Sequence, residues 1–137
     1  MTDASVNTLL YPIVLRRHVP VTLFIHPSAI SHAPYALTWT QIRTMAHSGL
    51  VDVQSHTHWH PDFRRERAQR STADYQRLVD LQLQRSQSVP EAQIGTRLTM
   101  LAWPYGIVDT DLEAAAARTG WSRTDLQPHP AALPVPD

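Results

Sequence analysis

Three stretches of the chain are nearly continuous in apolar and β-branched residues, and each is short enough to be a strand. They lie at residues 21–25, 50–53 and 98–102. Strands that are buried on both faces have continuous apolar runs rather than alternating ones. The pattern therefore predicts a parallel sheet that is covered by helices.

The segments between these runs carry the signals of helix ends. Residues 38–41 (TWTQ) and 110–113 (TDLE) fit capping boxes, in which a side chain binds the first free N–H groups of a helix. Gly49 and Gly120 stand where these two helices should end. Between residues 71 and 89, apolar side chains recur at helical spacing, which predicts the longest helix.

The two ends of the chain differ in character. Residues 5–17 are predicted to form a first helix, with a kink at Pro12. Residues 128–137 hold prolines at alternating and nearby positions, which indicates an extended tail after a domain of residues 1–127. Alternating strands and helices without a GxGxxG turn argue against a dinucleotide-binding fold, and barrel-like α/β architectures stay open.

Composition excludes several classes of function. Twelve basic and twelve acidic residues give a formal net charge of zero, so no electrostatic footprint for nucleic acid or an anionic membrane is present. Cysteine is absent, which excludes disulfides and thiolate ligands. No apolar run reaches membrane-spanning length, and the start of the chain lacks the regions of a signal peptide. The cellular compartment stays open.

Three histidines lie within residues 55–61 (SHTHWHP), directly after the second predicted strand. His26 follows the first strand, and residues 103–106 (WPYG) follow the third. Parallel strands end at one edge of a sheet, where functional residues collect in α/β folds. Because imidazole is a common zinc ligand, this placement predicts a metal site rather than a chance cluster of surface histidines.

The residues at the second and third strand ends resemble those of one known family. The SHTHWHP run and the LAWPYG run of residues 101–106 are similar, in order and spacing, to motifs of the polysaccharide deacetylases. These are the NodB-homology domains of carbohydrate esterase family four. Residues 19–25 and 49–54 resemble the neighbouring strands of that family. The resemblance implies an α/β fold, a partial distorted (β/α) barrel with parallel strands that lacks the first strand and the last barrel units.

The resemblance also implies a metal-dependent hydrolase. His56 and His60 would bind a divalent metal, usually zinc in this family, and Thr57 would support their loop by hydrogen bonding. Such a metal polarises an acetyl carbonyl and acidifies the attacking water. The substrate implied is an N-acetylated polysaccharide similar to poly-N-acetylglucosamine.

The same resemblance assigns the residues around the substrate. Trp103, Pro104 and Tyr105 would form one wall of the groove, and His58 is predicted to contact substrate beside them. The backbone N–H of Tyr105 is the predicted catalytic group, because a donor aimed at the tetrahedral oxygen stabilises the transition state.

Two motifs of the family are not recognisable in this chain. One supplies the catalytic base and an aspartate ligand, and the other supplies a late histidine that acts as general acid. Asp3 is the carboxylate nearest the chain start and is predicted as the third ligand, with His26, His58 and Asp62 as alternatives. A barrel without all its strands exposes sheet edges that pair with other chains, so a homo-oligomer is expected.

Two alternatives to deacetylation stay open. The chain fits a non-catalytic remnant that binds metal or sugar, because the motifs for base and acid are missing. It also fits a promiscuous hydrolase of small esters or lactones, since metal-activated water does not require an acetamide. Relatives in the family are often periplasmic or extracellular.

Overall fold

The computed structural model describes residues 2–126, so the predicted domain boundary at residue 127 and the Pro-rich tail of residues 128–137 lie outside the described residues. Four strands form one sheet in the order β1-β2-β3-β4, and every neighbouring pair is parallel. The strands are β1 (Val21–Ile25), β2 (Val51–Ser55), β3 (Met100–Ala102) and β4 (Arg123–Leu126). The predicted parallel α/β sheet is confirmed, and the partial barrel is not closed.

Helices fill the connections between the strands, as is usual for crossovers between parallel strands. In chain order the α-helices are α1 (Tyr11–Arg17), α2 (Trp39–His47), α3 (Phe63–Gln69), α4 (Thr72–Ile94) and α5 (Thr110–Arg118). A π-helical turn (Val6–Leu10) precedes α1, and short 3-10 turns lie at Pro27–Ala29 and Pro104–Gly106. None of the helices in residues 2–126 is long and apolar enough to cross a membrane.

The register of the sheet decides which loops meet. Ile25 pairs with Ser55, and Ser55 pairs with Leu101, so β1, β2 and β3 end at nearly the same level. The residues that follow these strands therefore emerge side by side at one edge. This arrangement brings His26, His56 and Trp103 into neighbouring loops.

The helix signals of the sequence are mostly confirmed. The Thr38 side chain accepts from Gln41 N, and Gln41 accepts from Thr38 N, which completes the first capping box. The second box is wrong by one residue, because Asp109 rather than Thr110 caps α5 and accepts from Leu112 N. An aspartate carboxylate at this position also stabilises the positive end of the helix dipole.

The helix predicted at residues 5–17 is confirmed as one continuous helical stretch, π-helical at Val6–Leu10 and α-helical at Tyr11–Arg17. Pro12 lies in the first turn of α1, where a proline is tolerated. The longest helix, α4, runs past its predicted end to Ile94 and stops at Gly95, whose φ of 83° is the left-handed conformation of a helix C-cap.

Two apolar cores lie on the faces of the sheet. The first packs α1 and α2 against β1 and β2, and includes the fully buried Ile25 and Ile42. The second packs α4 and α5 around β3, and includes the fully buried Leu83, Leu101 and Leu112. Together they hold the strand ends next to residues 56–61, which we call the histidine loop.

Candidate metal centre

Three imidazoles and one phenol cluster at the carboxyl end of the sheet. The ring centroids of His56 and His60 are 4.5 Å apart, and those of His26 and His60 are 5.6 Å apart. The ring of Tyr105 lies edge-on to His60 at 4.9 Å. The structure thus brings together the two predicted histidine ligands, the predicted catalytic residue and one of the alternative ligands.

A hydrogen bond from β3 fixes the orientation of His56. Its Nδ1 lies 2.8 Å from the carbonyl oxygen of Ala102, which accepts only if Nδ1 carries the proton. The lone pair is then on Nε2. Such a bond to a backbone carbonyl is the usual way in which a metal-binding histidine is oriented.

The histidines of the cluster are held in the neutral form that binds metals. Burial lowers the pKa of His56 to about 4, although its hydrogen bond to Ala102 opposes the shift. Burial, followed by the neighbouring His60, lowers the pKa of His26 to about 4. Burial also lowers the pKa of His60. Since only the neutral imidazole has a free lone pair, all three are ready to act as ligands near neutral pH.

Three residues of the site adopt the left-handed backbone conformation that favours glycine. Thr57 has a φ of 65°, His60 a φ of 63° and Tyr105 a φ of 59°. The left-handed backbone conformation costs a residue with a Cβ about 1–2 kcal/mol. Such strain tends to occur at functional sites. The two loops are therefore held in place by their surroundings rather than by local preference.

The predicted hydrogen bonding by Thr57 comes from its backbone. Its hydroxyl is fully buried and has no hydrogen-bond partner within residues 2–126. The backbone supports the loop instead, because Thr57 N donates to Ser55 Oγ at 3.1 Å. Thr57 therefore supports the loop by hydrogen bonding, as predicted, but through its backbone N–H and not through its hydroxyl.

A glutamine that the sequence analysis did not single out anchors the histidine loop. Gln82 is fully buried on α4, and its Oε1 accepts from both His58 N (3.0 Å) and Trp59 N (2.8 Å). A polar residue among the apolar positions Leu78, Val79 and Leu83 was the available signal. A buried amide needs partners, and here they are the N–H groups of the loop.

His58 lies with its ring beside that of Trp59, at a centroid distance of 6.4 Å. It is 9% exposed, its N–H is bound to Gln82, and the positive charge of Arg85 adds to burial in lowering its pKa. A side chain so buried against α4 is not available to a bound polysaccharide. This placement is contrary to the substrate contact predicted for His58.

The WPYG segment divides between core and surface. Trp103 is fully buried and packs edge-on against Phe63 at 5.8 Å, and Pro104 is buried beside it. Trp103 belongs to the second core and Pro104 is buried, so the predicted groove wall is wrong for these two residues. Tyr105 is 67% exposed and is the member of the segment that faces the histidines. Tyr105 also has a left-handed backbone, with a φ of 59°.

The candidate carboxylate ligands are engaged elsewhere. Asp3 is exposed, and its Oδ1 accepts from Ser5 N at 2.8 Å, which lowers its pKa. Asp62 caps α3 by accepting from Arg65 N at 3.0 Å. Within residues 2–126, no group of three His, Cys, Asp or Glu side chains is already arranged to hold a metal ion. The donor set that fits zinc is therefore the neutral pair His56 and His60, which leaves a third ligand to be found.

Comparison with known proteins gives the family. The family model described as polysaccharide deacetylase matches residues 2–123, which is most of the chain. This chain belongs to the polysaccharide deacetylase family. The search of curated proteins gave no match.

Solved structures of the family share the fold. The deacetylase domain of BpsB from Bordetella bronchiseptica is 20% identical with a TM-score of 0.76, over 90% of this chain and 66% of that one. A de-N-acetylase from Aggregatibacter actinomycetemcomitans is 25% identical with a TM-score of 0.74, over 87% and 57%. BA3943, a family 4 pseudoenzyme from Bacillus anthracis, is 15% identical with a TM-score of 0.66, over 86% and 37%. The chain thus spans less than two thirds of each of these relatives.

Proposed function

We propose that this chain acts as a metal-dependent deacetylase, which removes acetyl groups from an N-acetylated polysaccharide similar to poly-N-acetylglucosamine. The observation that carries the proposal is the pair of neutral imidazoles, His56 and His60, with ring centroids 4.5 Å apart at the carboxyl end of the sheet. Family membership and the similarity to a de-N-acetylase support the same chemistry.

In this proposal His56 and His60 bind a divalent metal, and the metal is zinc because both ligands are nitrogen donors. When bound, the metal would polarise the acetyl carbonyl and acidify the water that attacks it. His56 keeps Nε2 available because Ala102 accepts the proton of Nδ1. The predicted carboxylate ligand, Asp3, is left out because its carboxylate is exposed and bound to Ser5 N.

Tyr105 has two roles in the proposal. Its exposed ring stands beside His60 and forms the side of the site against which a sugar packs. Its backbone N–H stabilises the oxyanion, as a fixed donor does in other acyl-transfer sites. Tyr105 has a left-handed backbone, and its ring centroid lies 4.9 Å from that of His60.

A non-catalytic role is the second candidate, and two observations favour it. No Asp or Glu joins two of the cluster's histidines in residues 2–126, where Asp3 and Asp62 accept backbone N–H groups at helix or turn starts, so the described cluster holds no carboxylate base. The fold is also shared with a pseudoenzyme of the same carbohydrate esterase family. In this alternative the chain binds a metal or a sugar and does not turn it over.

Chelator-sensitive hydrolysis separates the two candidates. Acetylated glucosamine oligomers, small acetyl esters and lactones are incubated with the protein, with and without EDTA and added Zn²⁺. We expect turnover of the oligomers that EDTA abolishes. Turnover of the small esters or lactones alone would assign the promiscuous hydrolase instead, and oligomer binding without turnover would assign the non-catalytic role.

A double variant tests the ligands. His56→Ala/His60→Ala is expected to lower the hydrolysis rate by at least about a hundredfold, because even the outer partners of metal ligands cost 10–100-fold. The matched control is His32→Ala/His47→Ala, which removes two exposed imidazoles outside the cluster. Equal rates for the two double variants would contradict the metal mechanism.

We also propose that the chain forms a homo-oligomer through β1, the first strand of the open sheet. An apolar cavity of about 350 Å³ lies along this strand and is lined by side chains that include Val6, Val14 and Leu23. Covering such a surface removes apolar area from water. Sedimentation at several concentrations tests it, and a monomer throughout would contradict it.

A further inference from the structure

The two loops that carry His60 and Tyr105 each lead directly into a helix. Asp62 caps α3, and Asp109 caps α5. His60 lies two residues before the first cap, and Tyr105 lies four residues before the second. A contact between the segments that contain these caps therefore limits how far His60 and Tyr105 can move relative to each other.

One face of α3 lies against the segment that follows β3. Phe63 and Arg67 are four residues apart, so they share this face of the helix. The Phe63 ring packs edge-on against Trp103 with centroids 5.8 Å apart, and both side chains are buried. Removing either ring would leave a cavity in the second core. Arg67 is the contact of this face that can be changed without opening the core.

The guanidinium of Arg67 joins α3 to two other helices. Its Nη1 lies 3.2 Å from Oδ2 of Asp109, and its Nη2 lies 2.7 Å from Oδ2 of Asp111. One planar group thus holds both carboxylates at the start of α5. Its Cζ lies 5.0 Å from the ring centroid of Tyr75 on α4, at the distance of a cation–π contact. The other oxygen of Asp109 accepts from Leu112 N, so this carboxylate is bound at both oxygens.

These contacts are better suited to fixing a geometry than to stabilising the fold. The Arg67 side chain is 45% exposed, and exposed ion pairs contribute little to the free energy of unfolding. A helix of seven residues is not stable by itself, so the position of α3 depends on what it packs against. His60 and Tyr105 both have left-handed backbones, which their residue types do not favour. Their relative position therefore depends on contacts made outside the two loops.

We propose that Arg67 is a positioning residue, which holds the start of α5 against α3 and so keeps the ring of Tyr105 beside that of His60. The centroids of these two rings are 4.9 Å apart. Arg67 acts on them through Asp109 and Asp111 rather than through the substrate. The consequence for hydrolysis rests on the function proposed above, whereas the consequence for the two rings does not.

Ring-proton chemical shifts of His60 and Tyr105 measure this contact on the full chain, in EDTA and without any assay of activity. Each ring is close enough to the other for its ring current to shift the other's signals. Arg67→Ala is expected to move both sets of signals. The matched control is Arg118→Ala, which removes an exposed arginine of α5 that pairs with Asp80 of α4 at 3.9 Å. Unmoved signals in Arg67→Ala, or equal movement in the two variants, would overturn the proposal.

Salt and a conservative substitution separate the ion pairs from a general loosening of the fold. Between about 0.1 M and about 1 M salt the Debye length falls from about 10 Å to about 3 Å, so the signals of the parent should move toward those of Arg67→Ala. Arg67→Lys keeps the charge but not the planar fork, so its signals should lie between the two. The salt series on the parent tests the proposal even if Arg67→Ala does not fold, which circular dichroism checks. Signals of the parent that do not respond to salt would contradict a role for the ion pairs.

Hydrolysis distinguishes this inference from the proposed function. If the parent deacetylates the oligomers, Arg67→Ala should lower kcat/KM by about tenfold or more, because small misplacements of groups in an active site are costly. Arg118→Ala should hydrolyse them as the parent does. Unchanged kcat/KM in Arg67→Ala overturns the positioning role and leaves the deacetylase proposal standing. A parent without activity, in which Arg67→Ala still moves the two rings, supports the positioning role and refutes the proposed function.

Discussion

The histidine loop and the second core lie next to each other, but they differ in backbone conformation and in how well their polar groups are paired. In the core, Leu83, Leu101 and Leu112 are fully buried, and their helices and strand have the conformations that their sequences favour. In the loop, Thr57 and His60 have left-handed backbones, and the Thr57 hydroxyl is buried without a partner in the described chain. Strain and unsatisfied groups persist where surrounding structure over-determines them.

The contrast shows how the core acts on the site. Gln82, on the same helix as Leu83, accepts the N–H groups of His58 and Trp59, and Ala102 at the end of β3 accepts from His56. Both anchors are buried, so their positions depend on core packing. The core therefore contributes to function by positioning a loop whose own preferences would not give this geometry.

The largest expected effect comes from a cavity in the second core. Leu83→Ala should lower the free energy of unfolding by about 2–5 kcal/mol, because it removes buried methyl groups and leaves a void. Urea denaturation measures the change. If core and loop are coupled only through folding, the fraction that stays folded should keep its Zn²⁺ affinity.

Leu9→Ala is the matched control, since Leu9 is 68% exposed. This substitution should change the free energy of unfolding by less than about 0.5 kcal/mol. Equal destabilisation by the two substitutions would mean that Leu83 is not packed as described.

The sequence could predict the elements whose local signals agree with their environment. The limits of β1 follow from its apolar run, and the pairing of His56 with His60 follows from a spacing that one loop can close. By contrast, β4 has the polar sequence RTDL, and it is a strand because its backbone pairs with β3. Pairing between distant segments overrides local propensity.

The residue types of the candidate site could be predicted from the sequence, but which of their side chains are exposed could not. Trp103 and Tyr105 are both aromatic, and aromatic residues occur both in apolar cores and in the walls of binding grooves. Tyr105 is the exposed one and has a left-handed backbone, which nothing in its side chain favours. The presence of His26 in the cluster likewise depends on register, a property of two strands that no single segment carries.

A smaller effect is expected from protonation of the loop. In unfolded chains histidine titrates near pH 6.5, whereas the pKa values of His26 and His56 are lowered to about 4 in the folded protein. The unfolded chain therefore takes up protons first as the pH falls, and stability that is complete above pH 6.5 is lost between pH 6.5 and 4. Because both rings are partly exposed, we expect a loss of about 1–2 kcal/mol in total.

Urea denaturation in EDTA at pH 7 and pH 4.5 measures this loss. His26→Gln removes one of the two titrating groups and keeps a polar side chain of similar reach. The variant should therefore lose less stability than the parent over the same interval. A parent that is equally stable at both values would show that the imidazoles are not held neutral by burial.

The smallest expected effect comes from relieving the left-handed backbone conformation of Tyr105. Tyr105→Gly relieves a left-handed conformation that costs about 1–2 kcal/mol, and glycine gives back about 0.5–1 kcal/mol through the entropy of the unfolded chain. The net change should be a gain of up to about 1 kcal/mol. Tyr35→Gly is the control, because Tyr35 is also exposed but does not have a positive φ; it should lose stability.

Hydrolysis by the same variant separates the two proposed roles of Tyr105. Glycine keeps the backbone N–H and removes only the ring that stands 4.9 Å from His60. If the N–H is the catalytic group, kcat should fall by less than about tenfold while KM rises, since an interaction lost equally from ground and transition states appears in KM. A fall in kcat of about a hundredfold or more with KM unchanged would move the catalytic role from the backbone to the phenol.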